Sequence, residues 1–123
     1  MVQIQSMTDE FTLLHNPRCS KSRAVKALLE ERGIAFQERP YLDEPLSHDE
    51  LGALARRLGR PAREWVRRGE SAYKEAKLDA DSKDEAILDA MARFPILIER
   101  PILIQGERAV VGRPPECVFE LIT

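Results

Sequence analysis

Two short apolar runs with a helical pattern between them constrain this chain more than any other feature. The first run, EFTLL at 10–14, stops at His15 and is broken by Asn16-Pro17. Proline lacks the amide donor that a continuing strand needs, and asparagine favours turns. From Ser20 to Arg32 the apolar period changes. Val25, Leu28 and Leu29 recur at i, i+3 and i+4, and Gly33 stands where a left-handed residue closes a helix. The second run, IAFQERPYL, carries Ile34, Phe36 and Tyr41. Strands joined through a helix pair in parallel, because a tight hairpin cannot make that connection.

The middle of the chain is helical in pattern. Ser47 with Glu50 forms a capping box, which predicts a helix from about His48 to Leu58 closed by Gly59. Pro61 is suited to open another near REWVRR. Ser82 with Glu85 repeats the capping signature ahead of Ile87, Met91 and Phe94 at i, i+4 and i+7. The stretch SAYKEAKLDADS is read as a looser connection, Trp65 as a core side chain and His48 as solvated. The period then returns to two. ILI and AVV flank a Gly-containing turn after Pro101, a hairpin signal, and Pro114-Pro115 opens a last helix over ECVFELI. The order strand, helix, strand, helices, hairpin, helix predicts an α/β fold with a mixed sheet of about four strands flanked by helices. At 123 residues a single domain is expected over 1–123, with residues 1–10 as a frayed N-terminal extension.

Composition narrows the function. With 19 basic and 21 acidic residues and a net charge of -2, the chain has no bulk positive field for nucleic acid. No run has the apolar length of a membrane span, and MVQIQSMTDE lacks the basic-then-apolar layout of a secretory signal. The expected location is cytoplasmic. Only Cys19 and Cys117 are present, too few for a disulfide scaffold in a reducing compartment. No close Cys or His pair has zinc spacing, so no metal is expected.

The chemistry concentrates at LLHNPRCSKSR. Cys19 falls between the first strand and the first helix, where open amides favour a thiolate. Ser20, Lys21, Ser22, Arg18 and Arg23 crowd the same turn, and His15 precedes it. Hydroxyls, cations and amides together suit an oxyanion. A buried apolar cysteine stays open as the bland alternative. The C-x-x-S spacing excludes a local dithiol cycle, so a resolving thiol must come from elsewhere. The C-x₅-R loop of tyrosine phosphatases is absent, because Arg23 follows Cys19 too closely. Arg100 and Arg113 each stand before a proline at the two ends of the hairpin, and Arg67 lies in WVRRG. Guanidinium forks match tetrahedral oxyanions through paired hydrogen bonds. Cys117 reads as a packed side chain, with a resolving thiol as its alternative.

HNPRCSKSR, ERPILI and VGRPPE, in this order, resemble the glutaredoxin-coupled arsenate reductases of the thioredoxin-fold superfamily, over about Phe11 to Ile122. The resemblance implies a thioredoxin-like fold with a helical insertion between the second strand and the hairpin. It implies Cys19 as nucleophile, His15 tuning it, and Arg100, Arg113 and Arg67 holding the oxyanion, with Arg68 the rival of Arg67. Pro101 would be the cis proline facing the cysteine. Glutathione would be a co-substrate, with no tightly bound cofactor, and glutaredoxin the protein partner. Arsenate would be the substrate, with phosphate or sulfate able to occupy the same pocket. Two other functions compete: another glutathione-linked thiol oxidoreductase, such as a deglutathionylase, and a thioredoxin-like regulatory binding module. The regulators usually carry C-x-x-C and lack HNPxC, which argues against the last.

Overall fold

The computed structural model describes residues 10–122; the expected frayed extension lies, apart from Glu10, outside them. The described chain forms two compact units, one from the residues up to Pro40 together with those from Arg100 on, the other Tyr41–Glu99.

The first unit is built on a four-stranded sheet. Strand β1 is Phe11–Leu14, helix α1 is Ser20–Glu31 and strand β2 is Phe36–Arg39. β1 and β2 pair in parallel, Leu13 opposite Glu38, as a helical crossover requires. Strand β3, Ile102–Gln105, runs antiparallel to β1 and pairs with strand β4, Arg108–Val111, giving the order β2-β1-β3-β4. The hairpin loop is Gly106-Glu107, with Gly106 at φ 58, a left-handed conformation that favours glycine. The expected strands are trimmed: β1 begins one residue later than EFTLL, and β2 begins at Phe36 because Gly33 and Ile34 complete the helix end.

One sheet face carries the core of this unit. Leu13 and Leu103, opposite one another on β1 and β3, pack with Val25 and Leu29 of α1 and with Val118 and Leu121 near the C-terminus. The last segment is a 3-10 turn at Pro115–Val118 followed by a short helix at Phe119–Ile122, where one continuous helix was expected. Arg32 lies over the Phe119 ring at 4.4 Å and joins the end of α1 to this segment. Between β4 and the turn, Gly112 donates its N–H to Pro101 O at 2.8 Å. A Cβ there would lie 2.8 Å from Val25 Cγ2 and 3.1 Å from Pro101 Cγ. Only glycine allows the backbone to come so close to the helix.

The second unit is helical. Helix α2 is His48–Leu58; Ser47 and Glu50 make the reciprocal capping box and Gly59 ends it at φ 66. The helix expected after Pro61 is one 3-10 turn, Ala62–Glu64. Beyond it the chain extends: Val66 bridges Ile98, Arg67 N donates to Leu97 O, and Glu99 N donates to Trp65 O. Trp65 is core, 1% exposed, with Nε1 donating to Arg60 O. The connection read as loose contains a short helix α3, Ser71–Glu75. Helix α4 is Asp84–Arg93 and starts after Lys83. Ser82 does not cap it, because its Oγ accepts from Asp79 N instead. Ile87, Leu88, Ala90 and Met91 are its buried residues, while Phe94 is only half-buried at the helix end.

Gly112→Ala should lower unfolding free energy by about 1–3 kcal/mol through overpacking against Val25 and Pro101. Gly69→Ala, with nothing within 4 Å of the added carbon, should change the unfolding free energy from urea melts by less than about 0.5 kcal/mol.

Candidate active site

Asn16 makes the turn that presents Cys19. Its side-chain Oδ1 accepts from Arg18 N at 3.0 Å, and its carbonyl accepts from Cys19 N at 3.0 Å. Its own N–H donates to Ser22 Oγ at 3.0 Å. Arg23 Nη1 closes the far side by donating to Pro17 O at 2.8 Å. Asn16 is 6% exposed, so these bonds satisfy polar groups that water barely reaches. Cys19 thereby becomes the N-cap of α1, with extended dihedrals of φ -100 and ψ 125, and its carbonyl takes the first helical bond from Arg23 N. The thiol makes no capping hydrogen bond. Cys19 is 9% exposed, and Ser20, Lys21 and Arg23 beside it are exposed. The amides of this first turn have no intrahelical acceptor, and no acidic side chain stands in it.

Ser22 has a different place from its neighbours. It is fully buried, and its Oγ meets both Asn16 N and His15 Nδ1, the latter at 2.9 Å. Its hydroxyl therefore holds the turn together from inside. His15 continues β1 by donating its N–H to Arg39 O, and its Nε2 lies 4.0 Å from Glu38 Oε1. Burial lowers the His15 pKa from 6.5; Glu38 opposes this, and Lys26 and Arg23 add to it. Burial thus favours the neutral imidazole.

The two R-P segments meet in the same unit. Arg113 Nη1 donates to Arg100 O at 3.2 Å, and Gly112 N to Pro101 O at 2.8 Å. The Arg100-Pro101 bond is cis, as the resemblance implies, and so is Arg113-Pro114. Arg67 belongs to the second unit. Its Nη1 lies 2.7 Å from Glu70 Oε2, an ionic contact without hydrogen-bond angles, and its Nε is 3.7 Å from Glu99 Oε1. Arg68 is exposed and donates to Arg63 O. Cys117 is half-buried, and both cysteines are free thiols. No group of three or more metal-ligating side chains occurs among the described residues. No helix among them is long and apolar enough to cross a membrane.

Sequence reasoning missed Asn16, Glu38 and Gly112. In sequence Asn16 reads as a strand breaker, although an Asx turn before a helix is a known signal. Glu38 was hidden because nothing local distinguishes a carboxylate on a strand that faces a histidine from one in solvent.

The first unit thus carries a turn with a buried histidine, a cysteine at a helix N-terminus and two joined R-P segments on a mixed α/β sheet. The profile of the ArsC family matches residues 14–121, and the chain belongs to that family. A Neisseria meningitidis protein named arsenate reductase is 48% identical over 109 residues, spanning 87% of this chain and 93% of that protein. One from Haemophilus influenzae is 41% identical over 112 residues, spanning 89% and 97%. A solved structure described as an arsenate reductase from Vibrio cholerae superposes with a TM-score of 0.86 at 45% identity, covering 92% of this chain and 98% of that one.

Ser22→Ala should cost about 1–3 kcal/mol, because the Asn16 amide and His15 Nδ1 lose their shared partner. Ser20→Ala, on the exposed side of the turn, should cost less than about 0.5 kcal/mol. A pH series supplies a second check. His15 binds its proton less readily folded than unfolded, so its contribution to stability is complete above pH 6.5 and is lost as pH falls through the lowered folded value. Urea melts of wild type should show this decline, and His15→Gln should lack that component.

Proposed function

We propose that this chain reduces arsenate to arsenite with glutathione and glutaredoxin, using Cys19 as nucleophile. The observation that carries the reading is the position of Cys19, at the open N-terminus of α1 with no second thiol in its turn. Negative charge on sulfur or on a bound oxyanion meets unpaired amides there, and the cations Lys21 and Arg23 stand close in the chain. Arg100 and Arg113, joined through the Arg100 carbonyl, supply guanidinium groups for a tetrahedral oxyanion. Ser20 and Lys21 add exposed donors on the first turn. Ser22 and His15 act beneath it by holding the turn. Arg67 enters the reading from the sequence resemblance.

The chemistry proceeds by thiol substitution at arsenic. Cys19 sulfur attacks arsenate, and a protonated oxygen leaves as water, giving a thiol–arsenate adduct. Glutathione sulfur then displaces a second oxygen as water. Glutaredoxin thiolate attacks the glutathione sulfur and forms a mixed disulfide. The electron pair of the broken arsenic–sulfur bond stays on arsenic, which is thereby reduced, and hydrolysis releases arsenite from Cys19. Phosphate would fit the same donors without being reduced by thiols, so selectivity lies in the redox step.

The test couples arsenate-dependent NADPH consumption to glutathione reductase, with glutathione and glutaredoxin present. Wild type should turn over and Cys19→Ser should fall to background, a loss of at least about 10³-fold for removal of a nucleophile. Arg113→Ala should lose activity mainly through a raised KM, as expected when an anion contact goes. Equal turnover by wild type and Cys19→Ser would refute the reading. Turnover of glutathione mixed disulfides with no response to arsenate would favour the deglutathionylase alternative.

A further inference from the structure

Glu38 lies opposite Leu13 in the parallel pairing and so shares the sheet face that α1 covers. His15, two residues beyond Leu13 on the same chain, projects to that face as well. The Glu38 carboxylate is divided between two partners: Oε2 takes Lys26 Nζ at 2.9 Å, and Oε1 stands 4.0 Å from His15 Nε2. The other imidazole nitrogen, Nδ1, is 2.9 Å from Ser22 Oγ. That oxygen already accepts the Asn16 N–H, which can only donate. The simplest complete arrangement has the Ser22 hydroxyl hydrogen on His15 Nδ1 and the imidazole proton on Nε2, the nitrogen in charge contact with the carboxylate. From Asn16 the connection continues, because its carbonyl holds Cys19 N.

We propose that Glu38, steadied by Lys26, is a positioning residue that keeps the His15 proton on Nε2 and thereby holds the Ser22–Asn16 bonding that sets the Cys19 turn. The charged groups that act on His15 are Glu38 from β2 and Lys26 and Arg23 from α1. Glu38 is the only acid among them, so it alone favours a proton on the ring. The two members of the surface pair thus act on His15 with opposite sign. The inference rests on Cys19 being the reactive thiol of the proposed function, but not on which oxyanion that thiol attacks.

The test is an NMR titration of the His15 imidazole in wild type, Glu38→Gln and Lys26→Met, read with the pH profile of Cys19 alkylation by iodoacetamide. Glu38→Gln should lower the His15 midpoint by about 0.5–1 pH unit, a partly exposed carboxylate at this distance being screened by solvent. Lys26→Met should raise it. Nitrogen shifts should place the neutral-ring proton on Nε2 in wild type and show a growing Nδ1–H population in Glu38→Gln. The alkylation rate should carry an inflection that follows the His15 midpoint in all three proteins. A purely structural ion pair would move both variants in the same direction or neither. Unchanged or same-sign midpoints overturn the proposal, as does an alkylation profile that stays put while His15 moves. Absence of arsenate turnover would refute the function proposed above and leave these titrations to be judged separately.

Discussion

The three hydrogen bonds of Asn16 are the constraint on which the Cys19 turn depends. A strand that ends at Leu14 must hand over to a helix that starts at Ser20, and Pro17 in between supplies no amide. Asn16 solves this with its side-chain oxygen on Arg18 N, its carbonyl on Cys19 N and its amide on Ser22 Oγ. Each bond is modest in net worth, on the order of 1 kcal/mol, but each satisfies a group that would otherwise be buried without a partner. Together they put a cysteine, rather than the usual hydroxyl or carboxylate, at the helix N-cap. Since the thiol makes no capping bond, the amides of the first turn are left without a side-chain acceptor from the N-cap.

The two R-P segments of the proposed site are joined by strand register together with one side-chain bond, Arg113 Nη1 to Arg100 O. β3 and β4 are adjacent antiparallel strands, so the residues before one and after the other are brought together by register alone. Gly112 completes the approach, its N–H on Pro101 O and its missing side chain leaving room for Val25. Arg100 and Arg113 follow from this as neighbours, although they stand 13 positions apart in the chain. Packing of the hairpin against α1 and the placing of the two arginine backbones are thus set by the same few atoms.

Much of the fold was legible because its signals are local. The capping box at Ser47, the closing Gly59 and the hairpin around Gly106 stand where the sequence puts them, and the switch between periods 3.6 and 2 orders the strands. Errors came where two local signals compete. Ser82 has the spacing of a capping box but bonds Asp79 instead, and Pro61 opens only one 3-10 turn because Val66 pairs with Ile98. In the site, Cys19 at a helix start was readable from the strand–turn–helix order. The roles of Ser22 and Glu38 were not, since both depend on which way a side chain turns once the sheet has formed. Ser22 and Ser20 are alike in sequence, and only helix phase buries one and exposes the other.

The central claim is that Cys19, not Cys117, is the thiol that meets an oxyanion. It is tested most directly by alkylating the protein with iodoacetamide, with and without arsenate, and quantifying each cysteine by peptide mass spectrometry. Arsenate should protect Cys19 and leave the rate at Cys117 unchanged. Equal modification of Cys19 with and without arsenate, or protection of Cys117 instead, would contradict the account.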